Sequence, residues 1–372
     1  MVGRNSGRKS NIFVAVTSVI LLSLFLSLLS SFVPIVYRNI KNFSRKLIYE
    51  LKTDKSPSTL VPIVLAFDNE YIYPSLVFLW SLLSTSDSDT FYDLYFFITD
   101  EFSQENKQKI LELKNSFFNF EVNFVDVSAK KDVFDDVEVF SERFTKEMFY
   151  RLMIQDFLLR FDKCIYLDVD MIVRKDLKPL FLQDVTDFYI AAVPDGTRAD
   201  PMGNDPNEDY EKKSKERKEA AKILGLPDFK RYINSGVVLW NLKKCREDDM
   251  SRIFLDFVKK YKDKPDGSLC DQDVINTNCY HKIKDLPLEF NAQTYFQLHR
   301  PYADVIPSFS NSSYIFTEEE WNKARSDPYI IHFAFKKPWS QLDIYFAEKW
   351  WENAKRCGHR EQILNKYIFK IK

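Results

Sequence analysis

Three acidic triplets of the form Asp-x-Asp occur in the chain: Asp87-Ser88-Asp89, Asp168-Val169-Asp170 and Asp271-Gln272-Asp273. Only the second ends an apolar, β-rich run, Cys164-Ile165-Tyr166-Leu167, which has the pattern of a buried strand. Side chains two apart on a strand share a side. Asp168 and Asp170 should therefore aim together at the strand's carboxyl end, where open α/β sheets bind ligands. Two ionised carboxylates there repel each other and lose hydration unless a cation sits between them. Hard oxygen ligands suit Mn²⁺ or Mg²⁺. The first triplet lies among Ser and Thr with no strand before it and reads as a solvated loop.

Composition excludes several other chemistries. A chain of 372 residues, 45% hydrophobic, can bury one large α/β domain or two smaller ones. A net charge of -1 offers nothing to nucleic acid. With only 8 Gly there is no Gly-x-Gly-x-x-Gly and no Walker A pattern, so a nucleotide must be held by other means. The same scarcity argues against a sugar nucleotidyltransferase, which would need a Gly-rich entry loop. The 5 Cys are scattered, with no Cys-x-x-Cys, and support neither a zinc site nor a full disulfide framework.

The elements that must position the acids alternate along the chain. Strands are expected at residues 61–67, 92–98, 120–127, 163–167, 188–193 and 232–242, and helices at 71–84, 103–118, 144–159 and 248–262, with Ser103 as an N-cap. Strand and helix in alternation predict an α/β fold, a Rossmann-like, mostly parallel sheet with helices on both faces. Residues 195–222 read as a surface loop with a solvated helix, or as an acceptor-binding lid. Residues 12–36 carry no charge; at about 1.5 Å per residue they exceed the ~30 Å bilayer core and read as a single membrane anchor. The expected organisation is a tail (1–11), this anchor (12–36), a stem (37–60), a folded domain (61–340) and a helical extension (341–372). Basic residues flank the anchor on both sides, so its orientation is not set by them. The aromatic, basic extension reads as a helix packed on the sheet or lying on a membrane surface.

Several blocks occur in the order found in glycosyltransferase family 8, which includes bacterial lipopolysaccharide galactosyl- and glucosyltransferases. They are Val64-Leu65-Ala66-Phe67-Asp68 with Tyr71, Tyr150-Arg151-Leu152, Ile165 to Val173 around the acidic pair, and Asn234-Ser235-Gly236 in an apolar run. Asp271-Gln272-Asp273, Ile331-His332-Phe333 and Lys337-Pro338-Trp339 complete the series. The chain thus resembles that family over residues 61–340. The resemblance implies a GT-A fold, a UDP-hexose donor, Mn²⁺ or Mg²⁺, a glycan or glycolipid acceptor and retention of anomeric configuration. It assigns the metal to Asp168, Asp170 and His332, the donor to Ala66, Asp68, Tyr71, Arg151, Asn234, Ser235 and Lys337, and the reacting carbon to Asp271 and Gln272. It also favours a single-pass protein of the bacterial inner membrane with a cytoplasmic catalytic domain, with a Golgi type II enzyme as the alternative.

Plainer readings exist for each residue: a satisfied core His332, an ion-paired Arg151, a strand bulge at Asn234-Ser235-Gly236, a helix N-terminus at Asp271 and loop charge at Lys337. A catalytically silent UDP-sugar-binding scaffold is the competing function. The chain departs from the family where Phe335 stands at a Gly-like position and the spacing to Lys336-Lys337 is short.

Overall fold

The first apolar run forms strand β1 (Thr59–Ala66), whose Val61, Ile63, Val64 and Leu65 are fully buried. A strand covered on both faces reads as a continuous apolar run rather than an alternating one. The computed structural model describes residues 59–129, 146–195, 210–229, 231–261, 270–294, 298, 301–305 and 316–369. The anchor expected at 12–36 lies outside the described residues, as does the stem expected at 37–60 except for residues 59 and 60, which open β1. Among the described residues no helix is long and apolar enough to cross a membrane.

Helix α1 (Ile72–Ser84) follows β1, with Pro74 in its first turn where a missing N–H costs nothing. Then come β2 (Thr90–Ile98), α2 (Gln104–Leu111) capped by Ser103 on the Asn106 N–H, and β3 (Phe120–Asp126). Strand β4 (Lys163–Leu167) leads through Asp168-Val169-Asp170 into the short β5 (Met171–Val173). Beyond lie β6 (Ile190–Pro194), α3 (Tyr210–Leu224), β7 (Ile233–Asn241), α4 (Met250–Tyr261) and α5 (Asp271–Cys279). The chain continues through β8 (Ile283–Asp285), β9 (Ala292–Gln293), α6 (Glu318–Ser326), β10 (Ile330–His332) and α7 (Ala347–Arg356).

Seven strands form the main sheet in the order β3-β2-β1-β4-β7-β6-β8, and β5-β10-β9 form a second, smaller sheet. The main sheet is parallel except for β7, which runs against both β4 and β6. This reversal puts the start of β7 beside the ends of β4 and β6, so one edge of the sheet collects residues from four strands.

Two expectations need correction. The helix expected over 144–159 is instead a 3₁₀ segment (Lys146–Met153) and one α-turn (Ile154–Phe157), with 144–145 outside the described residues. Residues 148–154 are buried one after another, so the segment has no solvent face on which an amphipathic α-helix would rest. The acidic pair, moreover, sits in the bend between β4 and β5 rather than on the strand itself.

The C-terminal extension packs against the domain. Trp350 is fully buried, and Trp339, Phe346 and Ile363 join it over Val77 of α1, Ile172 of β5 and Ile331 of β10. Each fully buried large apolar side chain contributes about 1.5–3 kcal/mol. The packed reading of that helix holds. Asp87-Ser88-Asp89 lies in a surface turn as expected, with Lys178 Nζ 2.7 Å from Asp89 Oδ1.

Candidate active site

All twelve residues expected at the site line one cleft of about 340 Å³. It opens where the carboxyl ends of β1, β4 and β6 meet the amino end of β7.

The smaller sheet builds its acidic corner. Pairing of β10 with β5 sets His332 opposite Met171, and the Phe333 N–H donates to the Asp170 carbonyl at 2.9 Å. Ligand atoms of Asp168, Asp170 and His332 all lie within 4.8 Å of one another. Gly236 on β7 lets them approach, since a Cβ there would sit 2.5 Å from His332 Cε1 and 2.8 Å from Asp168 Oδ2.

A chain of hydrogen bonds turns His332 Nδ1 toward an acceptor. The Gly236 N–H donates to Asn234 Oδ1 (3.1 Å), which also accepts from Asn291 Nδ2 (2.9 Å). Asn291 Oδ1 therefore faces His332 Nδ1 at 2.9 Å, and the ring must donate from that nitrogen. Nε2 is left with a bare lone pair 3.2 Å from Asp170 Oδ1, a buried oxygen with no hydrogen-bond partner. In the neutral ring two acceptors face each other, an arrangement that a second ring proton or a cation would relieve, and oxygen and imidazole donors suit a divalent one. The residues present fit Mn²⁺ or Mg²⁺.

Positive charge is already concentrated here. Lys337 Nζ donates to Asp170 Oδ2 and, at 3.1 Å, to the Phe333 carbonyl. Burial opposes ionisation of Asp170, yet the Lys337 ammonium outweighs it and holds its carboxyl well below the usual range. Burial likewise acts against the charge of Lys337, and Asp170 outweighs it, raising the ammonium pKa.

Arg151 is buried behind the acids. Its Nη2 donates to Asp168 Oδ1 (2.9 Å), Nη1 to the Ser235 carbonyl (2.9 Å) and Nε to the Met148 carbonyl (3.0 Å). Nε also lies 3.2 Å from Asp271 Oδ2, and the guanidinium stacks over the Tyr166 ring at 4.1 Å. Every guanidinium nitrogen is engaged within the protein, so Arg151 ties Asp168 to Asp271. Burial raises the Asp271 carboxyl pKa, and Arg151 offsets part of that rise.

Asp271 and Gln272 open helix α5, so the plain reading as a helix N-terminus and the functional one coincide. Asn276 pins this helix to β7, accepting from the Ile233 N–H (2.7 Å) and donating to the Ile233 carbonyl (2.9 Å). The Ser235 N–H donates to Gln272 Oε1 at 3.0 Å, and Gln272 Nε2 donates to Asp195 Oδ2 at 3.0 Å. At the other side, Asp68 Oδ1 accepts from the N–H groups of Glu70 (2.9 Å) and Tyr71 (3.1 Å), shaping the turn after β1 and its end residue Ala66. Burial raises the Asp68 pKa.

The glycosyl transferase family 8 pattern matches residues 62–343. The chain belongs to glycosyl transferase family 8. It is a glycosyltransferase with a GT-A-like α/β fold. General stress protein A of Bacillus subtilis (strain 168) is 25% identical over 263 residues, covering 70% of this chain and 80% of that protein. A lipopolysaccharide 1,2-glucosyltransferase of Escherichia coli is 25% identical over 224 residues, covering 57% of this chain and 61% of that protein. Among solved structures, the galactosyltransferase LgtC in complex with donor and acceptor sugar analogs superposes with a TM-score of 0.61 at 22% identity. That match covers 80% of this chain and 96% of LgtC.

For this family 8 chain, two features escaped the sequence reading. Asp195 lines the cleft directly after the apolar end of β6, the same signal that exposed Asp168. Asn291 carried no signal, since its partners come from distant segments. Phe335, at the position where the family usually has Gly, takes a φ of 75°, the left-handed region that favours glycine. Lys336 is exposed and does not line the cleft, whereas Lys337 does.

Proposed function

We propose that this glycosyltransferase moves a hexose, glucose or galactose, from a UDP-sugar to a hydroxyl of a glycan or glycolipid acceptor, with retention and with a divalent cation. The observation that carries the reading is the cluster of Asp168, Asp170 and His332, with Lys337 beside it, in the same cleft as Asp68, Asp271 and Gln272. Asp168, Asp170 and His332 would hold Mn²⁺ or Mg²⁺, which neutralises charge developing on a departing diphosphate.

The chain's own groups do the rest. Lys337 keeps positive charge at the same edge, and preorganised charge aimed at a leaving group is usually what lowers the barrier most in such a site. Asp68 and Tyr71, in the turn after β1, read the uracil, while Asn234 and Ser235 border the donor sugar. Asp271 and Gln272 face the sugar carbon as it becomes oxocarbenium-like, and Arg151 with Ser235 fixes the direction of the Asp271 carboxylate. Residues 12–36 would tether the enzyme to a membrane that carries its acceptor. The Escherichia coli relative supports lipopolysaccharide or another surface glycan as the product, and a single-pass inner-membrane location, rather than a Golgi one, is part of the same proposal.

The test is UDP release from a panel of UDP-hexoses with and without Mn²⁺. Activity should need the metal and vanish in Asp168→Ala and Asp170→Asn. Wild-type turnover in either variant rejects the metal assignment, and UDP affinity without turnover on any donor favours a scaffold.

A further inference from the structure

We infer that Asn291 is a positioning residue that fixes the tautomer of His332 and thereby keeps Nε2 available to a divalent cation. The inference rests on the metal reading of the cluster. Asn291 is fully buried and lies outside the cleft lining.

Its orientation is dictated from the backbone outward. An N–H can only donate, so Gly236 settles which end of the Asn234 amide is oxygen. That oxygen accepts from Asn291 Nδ2, which leaves Asn291 Oδ1 for His332 Nδ1. A neutral imidazole carries one N–H; held on Nδ1, it cannot also sit on Nε2. Were the proton on Nε2, it would point at Asp170 Oδ1, 3.2 Å away. Histidine and aspartate would then satisfy each other, and two of the three ligands would be lost together. Outer hydrogen bonds of this kind fix ring orientation and ligand basicity, and removing one typically weakens metal binding about 10–100-fold. Because Asn291 precedes β9, which pairs with β10, the smaller sheet delivers both the ligand and the group that sets its proton.

The experiment uses the full chain, ¹⁵N-labelled at histidine, of which there are 4, with Mn²⁺ alone as the probe. Long-range ¹H–¹⁵N spectra without metal should show His332, assigned by its loss in His332→Gln, as the Nδ1–H tautomer. A wild-type Nε2–H tautomer, or a ring protonated on both nitrogens, overturns the inference, and this reading needs no Asn291 variant to fold. In Asn291→Leu the proton should move to Nε2 and the Mn²⁺ dissociation constant, followed by the EPR signal of free Mn²⁺, should rise about 10–100-fold. Asn291→Asp keeps an acceptor for the Nδ1 proton and should restore both the tautomer and affinity to within a few-fold of wild type. Unchanged Mn²⁺ affinity in a folded Asn291→Leu overturns the inference. Wild type that binds no Mn²⁺ rejects the metal reading instead, and the tautomer spectrum still stands or falls separately.

Discussion

Adding one methyl group at Gly236 should cost the enzyme its metal. In Gly236→Ala the new carbon would lie 2.5 Å from His332 Cε1 and 2.8 Å from Asp168 Oδ2. Non-bonded carbons rest at about 3.5–4.0 Å, so the imidazole must retreat by roughly 1 Å. It has nowhere to go: the ring is buried, Nδ1 is tied to Asn291, and the adjacent Phe333 N–H is bonded to Asp170. Overpacking of this kind costs about 1–3 kcal/mol, readable as a lower midpoint in urea unfolding. A cation held at about 2.0–2.1 Å, as Mg²⁺ demands, tolerates no such displacement. Mn²⁺ affinity should fall by at least about 10–100-fold, the loss typical of removing an outer hydrogen bond. Gly225→Ala is the control: nothing lies within 4 Å of its Cβ, although its φ of 77° makes the substitution strained. That variant should lose stability and keep Mn²⁺ affinity. Gly236→Ala that binds Mn²⁺ like wild type, at unchanged stability, would refute the steric reasoning.

Arg151→Met removes the partner of two carboxylates and should lower unfolding free energy by about 3–5 kcal/mol. Asp271→Asn in the same chain should recover part of the loss, and strict additivity in that double-mutant cycle would show that the two side chains are not coupled. Trp350→Ala, at a fully buried position, should cost about 3–5 kcal/mol in urea. Arg252→Ala breaks exposed pairs with Asp249 and Asp256 and should stay within about 1 kcal/mol of wild type; similar losses in both variants would contradict the packing described. Because burial raises the Asp68 pKa above 3.8, the folded state holds that proton more tightly than the unfolded chain. The contribution of Asp68 is present below 3.8 and is lost as pH rises through the folded value. Asp68→Asn, which does not titrate, should therefore gain stability relative to wild type over that rise; a pH-independent difference in urea midpoints would count against the burial.

Asp168 and Asp170 were legible because an apolar run stops at them, and that interruption is a property of neighbouring residues. His332 was not legible in the same way. It sits within an apolar run, and only the resemblance gave it a role, because the acidic pair it joins is brought to it by β5 and β10 meeting in space. The direction of β7 was invisible, since an apolar strand reads alike whichever way it runs. The segment at 146–153 misled for a related reason: its side chains pack on every side, and periodicity marks a helix only when one face is left to water. Arg151 was placed at the donor by resemblance, and it does line the cleft; its bonds to Asp168, Asp271 and Ser235, from distant segments, carried no sequence signal.

Trp339 touches both ends of the molecule's business. It meets the ring of Tyr71 in the cleft edge-on at 6.0 Å and that of Trp350 in α7 at 5.1 Å. Tyr367 near the carboxyl terminus donates through its hydroxyl to the Glu70 carbonyl, in the turn that Asp68 caps. Trimming an expression clone to the family-matched span, residues 62–343, would strip away this brace. The shortened product should bare the apolar face that the extension covers and aggregate more readily, even though every residue named at the cleft would still be encoded.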